Sequence, residues 1–399
     1  MAPEPADGAV AQNRRARVAV AALFLSNGAV FANLLPRYPE IKTDLHLSNA
    51  VYGAAVASFS AGALVAGLAA ATLIRRYRSS RVAVVGTLGI AGFVLVAGLA
   101  GNALMLAAAL FVAGASDAIT DVAQNAHGLR LQRNYGRSII NSFHAVWAAG
   151  AILGGLMGAA AIALDISRAT HLAISAIFCG GLVLIAYPYL LKGPDHDNHP
   201  SARTGGGKSA GLAVYATLLA LVVIAVAGAT VEDAGSSWAT LYMRDSLGAP
   251  GPIAVFAYIA VVGFMFVGRL IGDRLVDRFG ERTVVRAGGV LAAVGMGAAL
   301  AFPSVPGTIA GFAAAGFGVA TLIPAAMHRA DQLPGLRPGS GLTVLTWLMR
   351  IGFFGAPLLV GVVADATSLR VGLLAVPIAG LVVVALAGAL SARPQPSRS

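Results

Sequence analysis

The sequence is poor in charged residues and in cysteine, and each shortage excludes a class of protein. Only 11% of the 399 residues are charged, whereas about a quarter of a soluble globular domain is charged. The single cysteine, Cys179, lies in an apolar run, so the chain has no internal disulfide. Hydrophobic residues make up 57% of the sequence, and the mean hydropathy is +0.78. Most of the molecular surface must therefore face lipid rather than water.

The apolar residues form long runs, and a transmembrane helix needs about 20 such residues. We therefore predict an all-α membrane protein. The twelve predicted spans are 17–36, 50–73, 82–100, 103–128, 138–162, 169–190, 211–235, 253–273, 283–302, 306–328, 340–363 and 370–391. The first span follows a polar N-terminal segment without a cleavage site, so we expect an uncleaved helix rather than a signal peptide.

The net charge of +11 is distributed unevenly between the two ends of the spans. Most of the 28 basic residues fall on one side, which the positive-inside rule assigns to the cytoplasm. Both chain termini are then predicted to be cytoplasmic, and the bilayer accounts for the basic charge without a nucleic acid.

The chain consists of two related halves. Residues 74–82 line up with residues 276–284, and the same offset carries Gly114 onto Gly316 and Ser138 onto Ser340. Duplication of this kind is typical of transporters. The sequence predicts a six-helix bundle over 1–191, a polar, Gly/Pro-rich cytoplasmic linker over 192–210, and a second six-helix bundle over 211–399.

Span four carries a set of polar residues on one helical face. Asp117, Asp121 and Asn125 are four residues apart and lie one above another, with Gln124 beside them. An ionisable group in hydrocarbon is costly and normally faces a cavity or a partner. We predict that Asp121, and after it Asp117, lines a functional cavity. The alternative is that these carboxylates cap neighbouring helices or pair with loop arginines.

Two further charged groups are predicted within the second half. Arg350 lies near the bilayer centre and needs a carboxylate partner, for which Asp121, Asp117 and Glu232 are the candidates. Glu232 itself precedes a predicted helix break near Gly235, and broken helices often line substrate sites. The alternative is that Glu232 lies at the wet outer rim.

Amide, imidazole and indole groups recur along the predicted spans. They suit a polyhydroxylated solute, because amides hydrogen-bond to hydroxyls and aromatic faces stack on sugar C–H surfaces; the alternative is interhelical hydrogen bonding. The candidate solute-binding residues are Asn27, Asn33, Gln124, Asn125, Asn141, His144, Trp147, Trp238, Trp347 and Arg350.

Residues 268–282 form a predicted tight, charged hairpin that resembles the signature loop of the major facilitator superfamily. The resemblance implies twelve helices in two bundles and a gating role for this loop. The residues predicted to gate are Gly272, Asp273, Arg274, Asp277 and Arg278.

Within this superfamily the chain most resembles the fucose permease-like branch, and in it the bacterial inner-membrane subgroup typified by YbjJ. Residues 120–126, 232–242 and 350–357 carry this resemblance. In fucose permease, an acidic residue on helix four and an Asn four residues later take part in proton coupling and sugar recognition. The resemblance implies these roles for Asp121 and Asn125. The permease's helix-one aspartate aligns with Ala32.

The pattern and the resemblance together predict a secondary transporter that moves a small polar solute, such as a sugar, by alternating access and proton symport. Proton coupling is assigned to Asp121, Asp117 and Glu232. The alternative is a proton-coupled antiporter that exports drugs or metabolites. Many such antiporters carry a Gly-Pro pair late in helix five, and this sequence has none there.

No enzyme activity, cofactor or metal is predicted. The sequence shows no nucleophile–base set, and the linker histidines His196 and His199 have no cysteine near them. We expect a multi-pass monomer of the bacterial inner membrane, whose partners are the solute, the proton and the lipid bilayer.

Overall fold

The computed structural model describes residues 7–136, 139–193, 211–336 and 340–390, with side chains from residue 11 onward. These residues form helices and no strand. The helices of the first half are α1 (Asp7–Ala32), α2 (Tyr38–Asp44), α3 (Asn49–Gly67), α4 (Ala70–Tyr77), α5 (Ser79–Gly98), α6 (Ala103–Tyr135), α7 (Ile140–Ala163) and α8 (Arg168–Ala186). Those of the second half are α9 (Leu212–Ser237), α10 (Ala239–Leu241), α11 (Gly251–Phe279), α12 (Glu281–Ala301), α13 (Val305–Val319), α14 (Leu322–Asp331), α15 (Ser340–Ala366), α16 (Leu369–Gly372) and α17 (Ala375–Leu386).

Twelve helical stretches of the described chain are long and apolar enough to cross a membrane. The predicted all-α fold with twelve spans is thereby confirmed. Some boundaries differ from the prediction. The fourth span continues to Tyr135 rather than ending at 128, and the tenth is interrupted between Val319 and Leu322.

The chain divides into two compact units. Unit 1 comprises Met1–His46 and Ser58–Asn198, and unit 2 comprises Leu47–Ala57 and His199–Ser399. Residues 49–57 of α3 therefore belong to unit 2, although the sequence placed them in the first bundle. The predicted linker over 192–210 lies outside the described residues except for Lys192 and Gly193.

Each unit is held together by pairs of long helices that bury apolar side chains. In unit 1, α1 packs on α7 and α8, and α5 packs on α6. Leu23, Phe24 and Phe143 are fully buried in its core. In unit 2, α9 packs on α15, and α12 packs on α13 and α17.

The internal duplication is visible in individual hydrogen bonds. In unit 1, Arg168 at the start of α8 donates from Nε to the carbonyl oxygen of Gly98 at 2.6 Å, where α5 ends. In unit 2, Arg370 donates from Nε to the carbonyl oxygen of Leu300 at 2.6 Å, where α12 ends. Both arginines thus stabilise a helix C-terminus, whose carbonyl groups lack partners within the helix.

The aligned glycines Gly114 and Gly316 have equivalent neighbours. A Cβ atom on Gly114 would overlap the backbone carbonyl of Phe59, and one on Gly316 would overlap that of Val261. The two helices meet backbone to backbone at each place, so only glycine fits.

The stretch predicted to be a hairpin over 268–282 is mostly helical, which corrects that prediction. Helix α11 continues to Phe279, and the chain turns only at Gly280, which has φ 81°. The equivalent turn in unit 1 falls at Arg78, with φ 72°. Residues 268–279 contain no proline, so the helix continues until Gly280, whose positive φ ends it.

Residues 49–57 pack on α9 and α15 within unit 2. The carboxylate of Asp365 accepts hydrogen bonds from the backbone N–H groups of Asn49 and Ala50, each at 2.8 Å. The Tyr52 hydroxyl donates to the carbonyl oxygen of Ser237 at 2.6 Å. A carboxylate on the first N–H groups of a helix satisfies unpaired donors and complements the helix dipole.

Candidate functional site

A buried asparagine joins three helices in unit 1. Asn27 of α1 is 5% exposed. Its Nδ2 donates to Oδ1 of Asp117 on α6 at 2.9 Å, and its Oδ1 accepts from Nε1 of Trp147 on α7 at 2.7 Å. Gln124 Nε2 lies 3.5 Å from the same Asn27 oxygen. We call Asn27, Asp117, Gln124 and Trp147 the Asn27 cluster.

The Asn27 cluster forms because its members project from matching faces of packed helices. Asp117 and Gln124 are two turns apart on α6, and both reach Asn27. The structure thus brings together four residues predicted to bind solute or protons. An ionisable side chain within a membrane-spanning segment is a candidate functional position, and Asp117 is such a side chain.

One acceptor of the Asn27 cluster is unused. Gln124 is fully buried, and its Oε1 has no hydrogen-bond partner among the described residues. An unsatisfied buried acceptor costs about 1–3 kcal/mol. A donor such as a hydroxyl group would therefore be stabilised at this atom.

The polar stripe on α6 is shared between two sets of contacts. Asp117 joins the Asn27 cluster, whereas Oδ1 of Asp121 accepts a hydrogen bond from Nδ2 of Asn125 at 2.9 Å. Asp121 is exposed, and Asp117 is half-buried. The more enclosed carboxylate is therefore Asp117.

An open cavity of about 680 Å³ lies between α1, α6 and α7, and no member of the Asn27 cluster lines it. Its lining includes Arg17, Ala21 and Ser142, and Val146 beside Trp147. Asn141 and His144, also predicted to bind solute, are exposed on the first turns of α7. The His144 ring meets Phe24 edge-on at 5.4 Å.

Asn33 belongs to a different network, which is fully buried. Its Oδ1 lies 2.8 Å from Nε2 of His171, and Arg37 donates from Nε to Nδ1 of the same ring at 3.2 Å. Because Nδ1 accepts, the proton lies on Nε2, and the imidazole is neutral. Arg37 is also paired with Glu40 at 2.7 Å. The structure therefore does not bring Asn33 to the Asn27 cluster.

In unit 2, Glu232 lies beside an arginine that the sequence analysis did not select. The carboxylate of Glu232 on α9 is 3.8 Å from the guanidinium of Arg269 on α11. Arg350 is half-buried and has no ion pair with a described residue of its unit. Arg269 is itself a charged residue in a membrane-spanning helix. That property could have identified it from sequence as a candidate partner for Glu232.

The two tryptophans predicted in unit 2 differ in exposure. Trp238 is fully buried and meets the Tyr52 ring edge-on at 4.9 Å, so its faces are closed to a solute in this structure. Trp347 is 55% exposed. The predicted break near Gly235 occurs at Trp238, where α9 ends. Tyr242 in the following segment is also buried, and burial raises the pKa of its phenol despite the opposing charge of Arg370.

The predicted gating residues lie on the last turns of α11. Gly272 is buried, and a Cβ atom there would meet the Thr321 methyl group at 2.7 Å. The charged members are exposed, and they are Asp273, Arg274, Asp277 and Arg278. Within the described part of unit 2, no hydrogen bond or ion pair fixes Asp277, so its predicted latch contact stays a prediction.

The described residues contain no group of three His, Cys, Asp or Glu side chains that could hold a metal ion. The linker histidines His196 and His199 lie outside the described residues.

Comparison with known proteins shows similarity to bacterial membrane proteins along almost the whole chain. It is 29% identical over 372 residues to a protein of Sinorhizobium fredii named uncharacterized transporter y4wD, covering 93% of this chain and 97% of that one. It is 28% identical over 368 residues to the membrane protein MosC of Rhizobium meliloti, covering 92% and 88%.

Solved structures share the fold at low sequence identity. A bacterial homolog of the human lysosomal transporter Spinster superposes with a TM-score of 0.75 at 14% identity, covering 95% of this chain and 98% of that one. The transporter FucP superposes with a TM-score of 0.58 at 18% identity, covering 93% and 97%.

A family model decides the classification. The model described as Major Facilitator Superfamily matches residues 20–276, which is more than half of the chain. Together with the twelve membrane-spanning helices and the duplicated hydrogen bonds, this match shows that the chain is a multi-pass membrane transporter and belongs to the major facilitator superfamily.

Proposed function

We propose that this transporter moves a small hydroxylated solute, such as a sugar, together with a proton by alternating access. The observation that carries the proposal is the buried Asn27, whose amide bridges the Asp117 carboxylate and the Trp147 indole. The cluster combines a titratable group, two amides and an aromatic ring. These are the groups that a hydroxylated solute and a coupled proton require.

The chemistry of the Asn27 cluster supplies a coupling mechanism. Ionised Asp117 is a strong acceptor for the Asn27 amide, because a charged acceptor strengthens a hydrogen bond. Protonation of Asp117 weakens that bond and frees the amide for a solute hydroxyl. Proton and solute then favour the same state of the site, as positive coupling requires. Gln124 is fully buried in this structure, so its Oε1 accepts a second hydroxyl when alternating access opens the site.

The remaining predicted residues take supporting roles in this proposal. Asp121 and Glu232 are the other carboxylates for proton transfer, and Arg350 and Trp347 contribute to solute binding from the second half. Asp277 and its neighbours gate the transporter. The protein acts as a monomer in the bacterial inner membrane with both termini in the cytoplasm, within the fucose permease-like branch and its YbjJ-type subgroup.

The first experiment identifies the solute. Purified protein is screened by thermal shift against sugars, amino acids and lipophilic cations, because a bound solute stabilises the fold by mass action. We expect a sugar to raise the melting temperature of the wild type but not of Asn27→Ala. The matched control Gln12→Ala removes an exposed amide from the same helix and should retain the shift. Stabilisation by lipophilic cations alone would contradict the proposed solute class.

The second experiment tests proton coupling in proteoliposomes with the identified solute. Asp117→Asn imitates the protonated carboxyl and should retain solute exchange between equal pools. The accumulation ratio of the solute under a pH gradient should fall at least about tenfold, which corresponds to a loss of about 1.4 kcal/mol of coupling free energy. Asp121→Asn, at the other carboxylate on this helix face, is the comparison variant, and a smaller loss of accumulation is expected there. If Asp117→Asn still accumulates solute and Asp121→Asn does not, the coupling group is Asp121.

A further inference from the structure

A lateral groove lies between α1 and α8, and it shares Arg14 and Val18 with the cavity between α1, α6 and α7. Its volume is about 700 Å³, and its lining includes Arg14, Arg15, Val18, Ala22, Ile185 and Tyr189. Residues 11, 14, 15, 18 and 22 follow one stripe of α1. Residues 182, 185 and 186 follow one stripe of α8, and Tyr189 lies in the turn just after it. The groove is thus a continuous channel along two packed transmembrane helices.

The length of this groove fits within one leaflet of a bilayer. From Arg15 to Ala22 the α1 stripe rises about 10 Å at 1.5 Å per residue. Half of a hydrocarbon core is about 15 Å deep, so the groove can hold the part of an acyl chain nearest the headgroup. Beyond the arginines the walls are apolar, and Val18 and Ile185 are 68% and 70% exposed. Such side chains are stable when an acyl chain covers them.

The mouth of the groove carries unbalanced positive charge. Arg14 and Arg15 are exposed, and neither makes a hydrogen bond or an ion pair with the side chains that the structure describes. Their neighbours are engaged: Asn13 accepts from Asn134 at 3.2 Å, and Arg17 lies 5.8 Å from the Tyr135 ring centroid. Two guanidinium groups that have no partner among the described side chains, beside an apolar channel, complement a phosphate attached to acyl chains.

We propose that this groove is a binding site for one anionic membrane phospholipid. The lipid phosphate binds Arg14 and Arg15, and an acyl chain lies along Val18, Ala22 and Ile185. Basic sites between transmembrane helices are the sites at which anionic headgroups bind. Tyr189 lies at the mouth, where aromatic rings commonly mark the interface between hydrocarbon and headgroups. The inference does not depend on which solute is transported.

Native mass spectrometry of the full-length protein in detergent tests the site. Phosphatidylglycerol or phosphatidylethanolamine with identical acyl chains is titrated, and bound lipids are counted. We expect one phosphatidylglycerol to bind at least about tenfold more tightly than phosphatidylethanolamine. Arg14→Gln/Arg15→Gln should lower the phosphatidylglycerol affinity to the phosphatidylethanolamine level. The matched control Arg75→Gln/Arg76→Gln removes two exposed charges from α4 and should leave the affinity unchanged.

Two further measurements separate this site from general electrostatic attraction. Ala22→Phe fills the channel without changing charge and should also lower phosphatidylglycerol binding. Inorganic phosphate should not compete, because it has no acyl chain. The proposal is overturned if the Arg14/Arg15 variant, monodisperse and folded, binds phosphatidylglycerol like the wild type. Equal loss in the Arg75/Arg76 control, or full competition by inorganic phosphate, would overturn it as well.

Discussion

At the scale of single residues, helical phase separates side chains that the sequence analysis grouped together. Asn27 and Asn33 both lie on α1, but they are six residues apart, which places them about 240° apart around the helix. Asn27 bonds to Asp117, whereas Asn33 lies beside His171. The sequence shows that both residues are polar and lie within a span. Their angular separation around the helix means that they face different neighbours. Their partners depend on which helices pack together.

Arg269 shows what sequence alone could not supply. From sequence, Glu232 is a candidate partner for Arg350. In the structure, however, the carboxylate of Glu232 lies 3.8 Å from the guanidinium of Arg269. Both arginines lie on neighbouring spans of the same unit. The choice between them depends on how α9, α11 and α15 pack, which no local pattern encodes.

Arg78 is a strained residue whose replacement should stabilise the protein. Its φ of 72° and ψ of 145° match the φ of 81° and ψ of 150° at the aligned Gly280. A non-glycine residue in this region costs about 1–3 kcal/mol. Arg78→Gly should therefore raise stability by about 1 kcal/mol, after the greater unfolded-state entropy of glycine. The measurement is the thermal midpoint in detergent. The reverse change Gly280→Arg should lower that midpoint, and a fall with Arg78→Gly would contradict the strain argument.

At the scale of elements, helix continuity explains the main correction to the sequence prediction. The sequence predicts a charged hairpin over 268–282, but α11 includes most of these residues and ends at Phe279. Arg, Leu and Asp are compatible with a helix end, and exposed charges extend from a membrane-spanning helix into water. The better sequence signal for the turn was Gly280, because glycine readily adopts the positive φ that ends a helix. The density of charge was a poorer signal.

Arginine contacts at the C-terminal ends of α5 and α12 are equivalent in the two units. The same substitution can therefore be compared between them. Arg168→Ala removes one hydrogen bond to a terminal carbonyl, that of Gly98, and Arg370→Ala removes two, those of Leu300 and Ala301. Each change should cost about 1 kcal/mol. The two losses should be similar, because Arg168 also pairs with the exposed Asp44, and an exposed ion pair contributes at most about 1 kcal/mol. Thermal midpoints of both variants, with Arg168→Lys and Arg370→Lys as charge-preserving controls, are the test. Unchanged midpoints in both alanine variants would contradict the assigned role.

At the scale of the whole molecule, the fold was predictable because the bilayer constrains it so strongly. Long apolar runs permit helices and little else, since backbone groups in lipid must bond internally. The internal duplication also predicts that equivalent helices pack in the same way in both halves. The equivalent backbone contacts of Gly114 and Gly316 are an example. The assignment of residues 49–57 to unit 2 was not predictable. It depends on side chains such as Asp365 and Tyr52 that meet across distant parts of the sequence.

That assignment has a consequence for how the gene can be divided. A cut in the linker yields a fragment 199–399 without residues 47–57, which form part of its compact unit. The separate fragment leaves Asp365 without the Asn49 and Ala50 amides, and exposes Trp238, which Tyr52 covers. We expect fragment 199–399 to be aggregation-prone when expressed alone and to become stable when fragment 1–198 is co-expressed. Yield and monodispersity by fluorescence-detected size exclusion measure this complementation. If fragment 199–399 were equally stable with and without fragment 1–198, residues 47–57 would be dispensable to unit 2. Each half could then be inherited, exchanged and engineered as a separate unit.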